Sequence, residues 1–126
     1  GLGNWIVNSV LASAVGLGST LITGIVAMLV NLIHLILPVA PAIVSMTVAP
    51  LTDLAMLANI HPAVLTFTIA ALAGGCFLLP IDAVPIITYT KKYYSVWDMF
   101  KSGFIVSIIL VILVALWVPF ISKFLF

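Results

Sequence analysis

Asp82 sits between two prolines in the stretch Leu79-Pro80-Ile81-Asp82-Ala83-Val84-Pro85, inside a chain that is 65% hydrophobic and only 6% charged. An ionised carboxylate near the centre of a bilayer costs at least about 2.5 kcal/mol and persists only with a partner. Two readings of Asp82 follow. As a functional group it binds a coupling cation or titrates with one; as a structural group it caps a half-helix that begins near Pro85. A second proline pair, Pro38-Val39-Ala40-Pro41, interrupts another apolar run. Unwinding a helix inside hydrocarbon leaves backbone amides and carbonyls without partners, so such a break is sustained where it lines a cavity or is buried in protein. Half-helix N-termini at the two breaks would offer positive dipole ends to an anion, and the freed carbonyls would suit a cation such as sodium. Ala40, Pro41 and Ala42 at the first break, and Ala83, Val84 and Pro85 at the second, are therefore the candidate substrate-binding positions, with Asp82 the candidate for cation coupling.

The elements that must position these residues are apolar helices. The chain has 126 residues, with four lysines and three acidic residues. A soluble domain usually carries about a quarter charged residues, so a bilayer composition is indicated. The formal net charge of +1 gives no footprint for nucleic acid. The single cysteine, Cys76, can make no disulfide within the chain. No basic n-region precedes the opening apolar stretch, so no signal peptide is read there.

Residues 1–16 mix Trp5 and aliphatic side chains with Asn4, Asn8, Ser9 and Ser13 at helical spacing. They read either as an interfacial amphipathic arm or as the end of a spanning helix. Residues 17–126 read as membrane-embedded apolar helices. Among them, 19–57 form two helices that meet at Pro38-Val39-Ala40-Pro41. That break has no charge or strongly polar residue, which favours a re-entrant hairpin with a buried tip over a water-exposed turn. Residues 63–90 form a helix broken around Pro80 and Pro85, and 103–124 a terminal span. Lys91, Lys92 and Lys101 gather in the 90–102 loop with Tyr93, Tyr94 and Trp97, which directs that loop to the cytoplasm. The expected fold is thus all-α: a polytopic membrane protein with a re-entrant helical hairpin and a discontinuous transmembrane helix.

The other polar residues carry weaker signals. Asn31 and His34 share a helix face, one turn apart, and are expected to bond each other or a neighbouring helix, with a substrate or proton role as the alternative. Asp53 and His61 flank the Asn59-Ile60-His61-Pro62 turn and read as solvated. Ser45, Thr47, Thr66, Thr68 and Thr88 either line a pathway or bond their own helix carbonyls. Gly16-Leu17-Gly18 lacks the rest of a nucleotide-binding pattern. With no metal-ligand cluster, nucleophile elbow or HExxH sequence, no enzyme is expected.

The block from Ile60-His61-Pro62 to Pro85, ending G-G-C-F-L-L-P-I-D-A-V-P, together with Y-S-V-W-D-M-F-K-S-G-F over Tyr94–Phe104, resembles the C-terminal half of the divalent anion sodium symporter family. The resemblance is strongest after His61. It implies the second of two inverted repeats, comprising a horizontal arm over 1–16 and, over 17–126, half of a membrane transport domain with a re-entrant hairpin, a broken helix and a terminal span. It further implies transport of sulfate, dicarboxylates or citrate, often with sodium, and assembly as a homodimer. The family's hairpin carries a Ser-Asn-Thr tip and its broken helix a Thr-Pro-Pro loop. Here the tip falls near Ala40-Pro41-Ala42 with none of those three residues, and Ala83-Val84-Pro85 keeps only the final proline. Asp82 stands beside that altered loop as a substitute oxygen donor. On this resemblance the remaining transporter segments come from a longer chain or from another chain. The competing expectation is a small membrane subunit or scaffold without transport of its own, in which the prolines only kink ordinary spans.

Overall fold

The computed structural model describes Trp5 and residues 18–75, 77–81 and 83–125. Five helices follow one another: α1 (Ser19–Ile36), α2 (Ala40–Leu57), α3 (Pro62–Ala73), α4 (Ala83–Thr90) and α5 (Val96–Leu125). No strand occurs among the described residues. The interfacial arm expected over 1–16 lies outside them except for Trp5, which is exposed. Three helices, α1, α2 and α5, are long and apolar enough to cross a membrane.

Packing centres on α3. It lies against α2, α1 and α5, while α1 also lies along α5; α1 and α2, though joined by three residues, touch little. The core is aliphatic: Ile22, Val26 and Val30 of α1, Ile43 and Leu51 of α2, Leu65, Ile69 and Leu72 of α3, and Val114 of α5. The threonine hydroxyls buried in this core are satisfied within their own helices. Thr23 donates to the Ser19 carbonyl at 2.7 Å, Thr47 to Ile43 at 2.6 Å and Thr68 to Val64 at 2.8 Å, as threonines in apolar helices commonly do.

The distribution of side-chain size on α5 is inverted relative to a water-soluble helix. Its buried residues are Gly103, Ser107, Val114 and Pro119, whereas Phe104, Ile105, Ile108, Ile109, Ile112, Leu113, Leu116, Trp117 and Phe120 are exposed. Small residues inward and large apolar residues outward is the pattern for helices that gain nothing from hiding apolar surface and instead need close backbone approach. Gly24 of α1 shows that approach: a Cβ placed there would lie 3.4 Å from the Ala115 Cβ of α5, ordinary van der Waals contact.

Helix boundaries differ from the sequence reading at three places, each for a local reason. First, α2 begins at Ala40, so Ala40, Pro41 and Ala42 form its opening turn and not a loop. A proline fits there because the first-turn amides have no intrahelical acceptor to lose. With α1 and α2 at 18 residues each, each arm is about 27 Å long, so arm length does not require a re-entrant tip. Second, α3 stops at Ala73, not near Leu79. Gly74 and Gly75 follow, and the Gly75 amide closes onto the Leu72 carbonyl at 3.2 Å; two glycines together weaken helix propagation.

Third, α5 begins at Val96, which shortens the expected 90–102 loop to 91–95 and places Trp97, Asp98 and Lys101 on the helix. A reciprocal cap sets this start. The Ser95 amide and hydroxyl donate to Asp98 Oδ2 at 3.0 and 2.5 Å, and the Asp98 amide donates to Ser95 Oγ at 3.1 Å. This is the capping box with aspartate in the acidic position. Lys101 then lies over the Trp97 ring, 5.4 Å from its centroid.

Candidate functional site

The interruption of the helical path between α3 and α4 borders a cleft. Residues 74–75 and 77–81 lie outside the helices, and α4 begins at Ala83. A cleft of about 640 Å³ lies beside this segment, walled by Gly74, Gly75 and Phe77, by Val84, Pro85 and Thr88 of α4, by Tyr94, and by Asp98, Met99, Ser102, Gly103 and Val106 of α5. A volume of this order suits a small-molecule pocket. Its walls combine apolar side chains with hydroxyls and one carboxylate.

Two contacts hold the cleft in shape. The first is Gly103 of α5, where an added Cβ would overlap the Phe77 carbonyl. Only a glycine lets the non-helical backbone of Phe77–Leu78 lie directly on α5. The second is Tyr94, whose hydroxyl donates to the Pro85 carbonyl at 2.8 Å and lies 2.7 Å from Thr88 Oγ1. Thr88 in turn reaches the Pro85 carbonyl at 3.0 Å. The connection between α4 and α5, with Lys92 at φ 59°, is thereby tied back onto the first turns of α4.

Of the residues singled out from the sequence, Val84 and Pro85 line this cleft, in the first turn of α4. Ala83 opens α4, and Asp82 lies outside the described residues. Ala40, Pro41 and Ala42 open α2 and are not among the residues lining the cleft. Thr88 does both things its type allows, bonding its own helix and facing the cleft. Tyr94, Asp98, Ser102 and Gly103 were not recognised as cleft residues. The Ser95-x-x-Asp98 spacing was a readable signal for where α5 begins, and hence for which face of α5 meets α4.

Several oxygens in the cleft are already engaged within the chain: the Pro85 carbonyl with Tyr94, Thr88 with Tyr94, and Asp98 with Ser95. Among the described residues they do not compose a sodium cage. Nor do three or more His, Cys, Asp or Glu side chains gather there as a metal site.

The remaining polar candidates separate cleanly. His61 caps α3, its Nδ1 accepting the Ala63 amide at 3.3 Å, and Asp53 is exposed on α2. His34 is 2% exposed, and neither of its ring nitrogens bonds Asn31 or any other residue. Neither expected bond of His34, to Asn31 or to a neighbouring helix, is formed among the described residues: the imidazole is buried while Asn31 is half-buried. Set beside models of known protein families, curated protein sequences and solved structures, the chain matches none of them.

Proposed function

We propose that this chain is part of a secondary active transporter for small di- or tricarboxylates or oxyanions such as sulfate, with the anion held at helix N-termini near the bilayer midplane. The observation that carries this reading is the helix interruption between α3 and α4, which borders a cleft lined by the first turn of α4. The amides of Ala83 and Val84 in that turn, Pro85 having none, lack intrahelical acceptors and carry the positive end of the dipole. This end of the cleft therefore suits negative charge, with Asp98 on the α5 wall the one fixed charge against it. Hydroxyls of Thr88, Tyr94 and Ser102 supply further polarity without fixed positive charge. Such a site would bind weakly enough to release its cargo.

In this reading α1, α2 and α5 cross the membrane, the lysine-bearing 91–101 region faces the cytoplasm, and Asp82 is the residue to test for cation coupling. The missing scaffold and first repeat belong to a longer chain or to a partner, and assembly as a homodimer is part of the proposal. Uptake of labelled sulfate, succinate and citrate into proteoliposomes, by the protein containing this chain, tests it. Uptake that saturates and is lost in Val84→Asp, which puts a carboxylate at the α4 terminus, is the expected result. Absence of uptake of all three anions would leave the non-transporting subunit as the better account.

A further inference from the structure

His34 on α1 and Ser107 on α5 are both buried, at 2% and 4% exposure, and all three of their side-chain polar atoms lack a hydrogen-bond partner among the described residues. A buried donor or acceptor left unsatisfied costs about 1–3 kcal/mol, so two such residues in one small bundle need a common explanation. They lie at one level of the bundle. Gly24 meets Ala115; the buried residues of α1 run from Ile22 on to His34, and those of α5 from Gly103 to Pro119, mostly before Ala115. The short connections from α1 to α2 and from α2 to α3, with α3 packed on both, make α3 run alongside α1 in the same direction. Gly103 near the start of α5 meets Phe77 just past the end of α3, so α5 runs antiparallel to α3 and to α1. From the Gly24–Ala115 contact, His34 is about 15 Å along α1 and Ser107 about 12 Å back along α5, which brings them to the same height.

The third helix at this junction, α3, packs against both α1 and α5 and offers nothing to either group. It contains no titratable residue, and its two threonines donate to their own helix at Pro62 and Val64. We propose that His34 and Ser107 are two walls of one buried polar niche that takes a water-sized hydrogen-bonding guest. The guest must both donate and accept, because a neutral imidazole presents one N–H and one bare nitrogen while the serine hydroxyl can do either. Water meets that requirement, and a buried water is held by about two to four such partners. This inference does not depend on the transport reading.

The test uses the whole chain, labelled with ¹⁵N-histidine and reconstituted in phosphatidylcholine bilayers. His34 and the exposed His61 are its only histidines, so each ring signal is assigned by a single His61→Gln variant. Solid-state NMR transfer from water protons to the His34 ring nitrogens is expected in the parent chain, and its loss is expected in Ser107→Ala, a change small enough to keep the fold. Absence of transfer to His34 in the parent, or transfer that persists unchanged in Ser107→Ala, would overturn the shared niche.

Discussion

The Phe77 carbonyl occupies the space where a Cβ on Gly103 would stand, and the Leu78 amide nitrogen lies 3.1 Å from the same point. This single approach joins the helix interruption to α5 and gives the cleft its floor. Gly103→Ala must push the 77–78 backbone away or bend α5. Overpacking of this kind costs about 1–3 kcal/mol, and here backbone has to yield, so a loss toward the upper part of that range is expected. Thermal unfolding in detergent should show it. Gly18→Ala, where an added Cβ meets nothing within 4 Å, should change stability by less than about 0.5 kcal/mol; equal losses in both variants would remove the close approach as the cause.

Tyr94→Phe keeps the ring and deletes only the hydroxyl that bridges the Pro85 carbonyl and Thr88. A loss of about 0.5–1.5 kcal/mol is expected. Because Thr88 shares the same oxygen neighbours, Thr88→Val and Tyr94→Phe should be non-additive in a double-mutant cycle. Strict additivity would mean that the two hydroxyls act independently of each other.

The start of α5 rests on Ser95 and Asp98 acting as a reciprocal pair. Ser95→Ala is expected to cost about 0.5–2 kcal/mol, the range for lost N-caps, and to fray the first turn that carries Trp97 and Lys101. Asp98→Asn retains an acceptor but loses the charge that favours a helix N-terminus, so it should cost less than Ser95→Ala. Amide hydrogen exchange at 96–99 reports the fraying directly; unaltered protection there in Ser95→Ala would show that packing, not the cap, sets the boundary.

Much of this arrangement was legible in the sequence. The apolar runs gave α1, α2 and α5, because long apolar stretches with little or no charge, Asp53 being the one charged residue of α2, have few alternatives to a helix in a bilayer. The break before Pro85 was legible from Pro80 and Pro85. Its true extent was not, since Gly74 and Gly75 suggested a close helix contact as readily as a stop. The position of α2's first residue was hidden by Pro41, which marks a break when read as a breaker and a first turn when read as a starter. The role of Gly103 could not be read at all, because it depends on a backbone segment 26 residues earlier folding back onto α5.

Ala40 distinguishes a buried tip from a plain turn between crossings. It is half-buried at the start of α2, between exposed Val39 and exposed Pro41. Ala40→Cys, in a background with Cys76→Ala, is expected to react slowly with membrane-impermeant maleimide from both sides of the vesicle, with protection by sulfate or citrate if the tip joins the anion site. Rapid labelling from one side, indifferent to either anion, would place Pro38–Pro41 in water as an ordinary connection.

Asp82 is the candidate for cation coupling in the proposed transporter, since an intramembrane carboxylate is a functional candidate by default. Asp82→Asn keeps the size and a hydrogen-bonding oxygen but removes the charge. If the carboxylate meets the coupling ion, anion uptake by the protein containing this chain should lose its sodium or proton dependence while some uptake persists, with the anion still served by the α4 terminus. If Asp82 only caps α4, asparagine is an equally good cap, and both uptake and its ion dependence should match the parent. Ion-gradient titrations in proteoliposomes therefore separate the two roles without relying on stability.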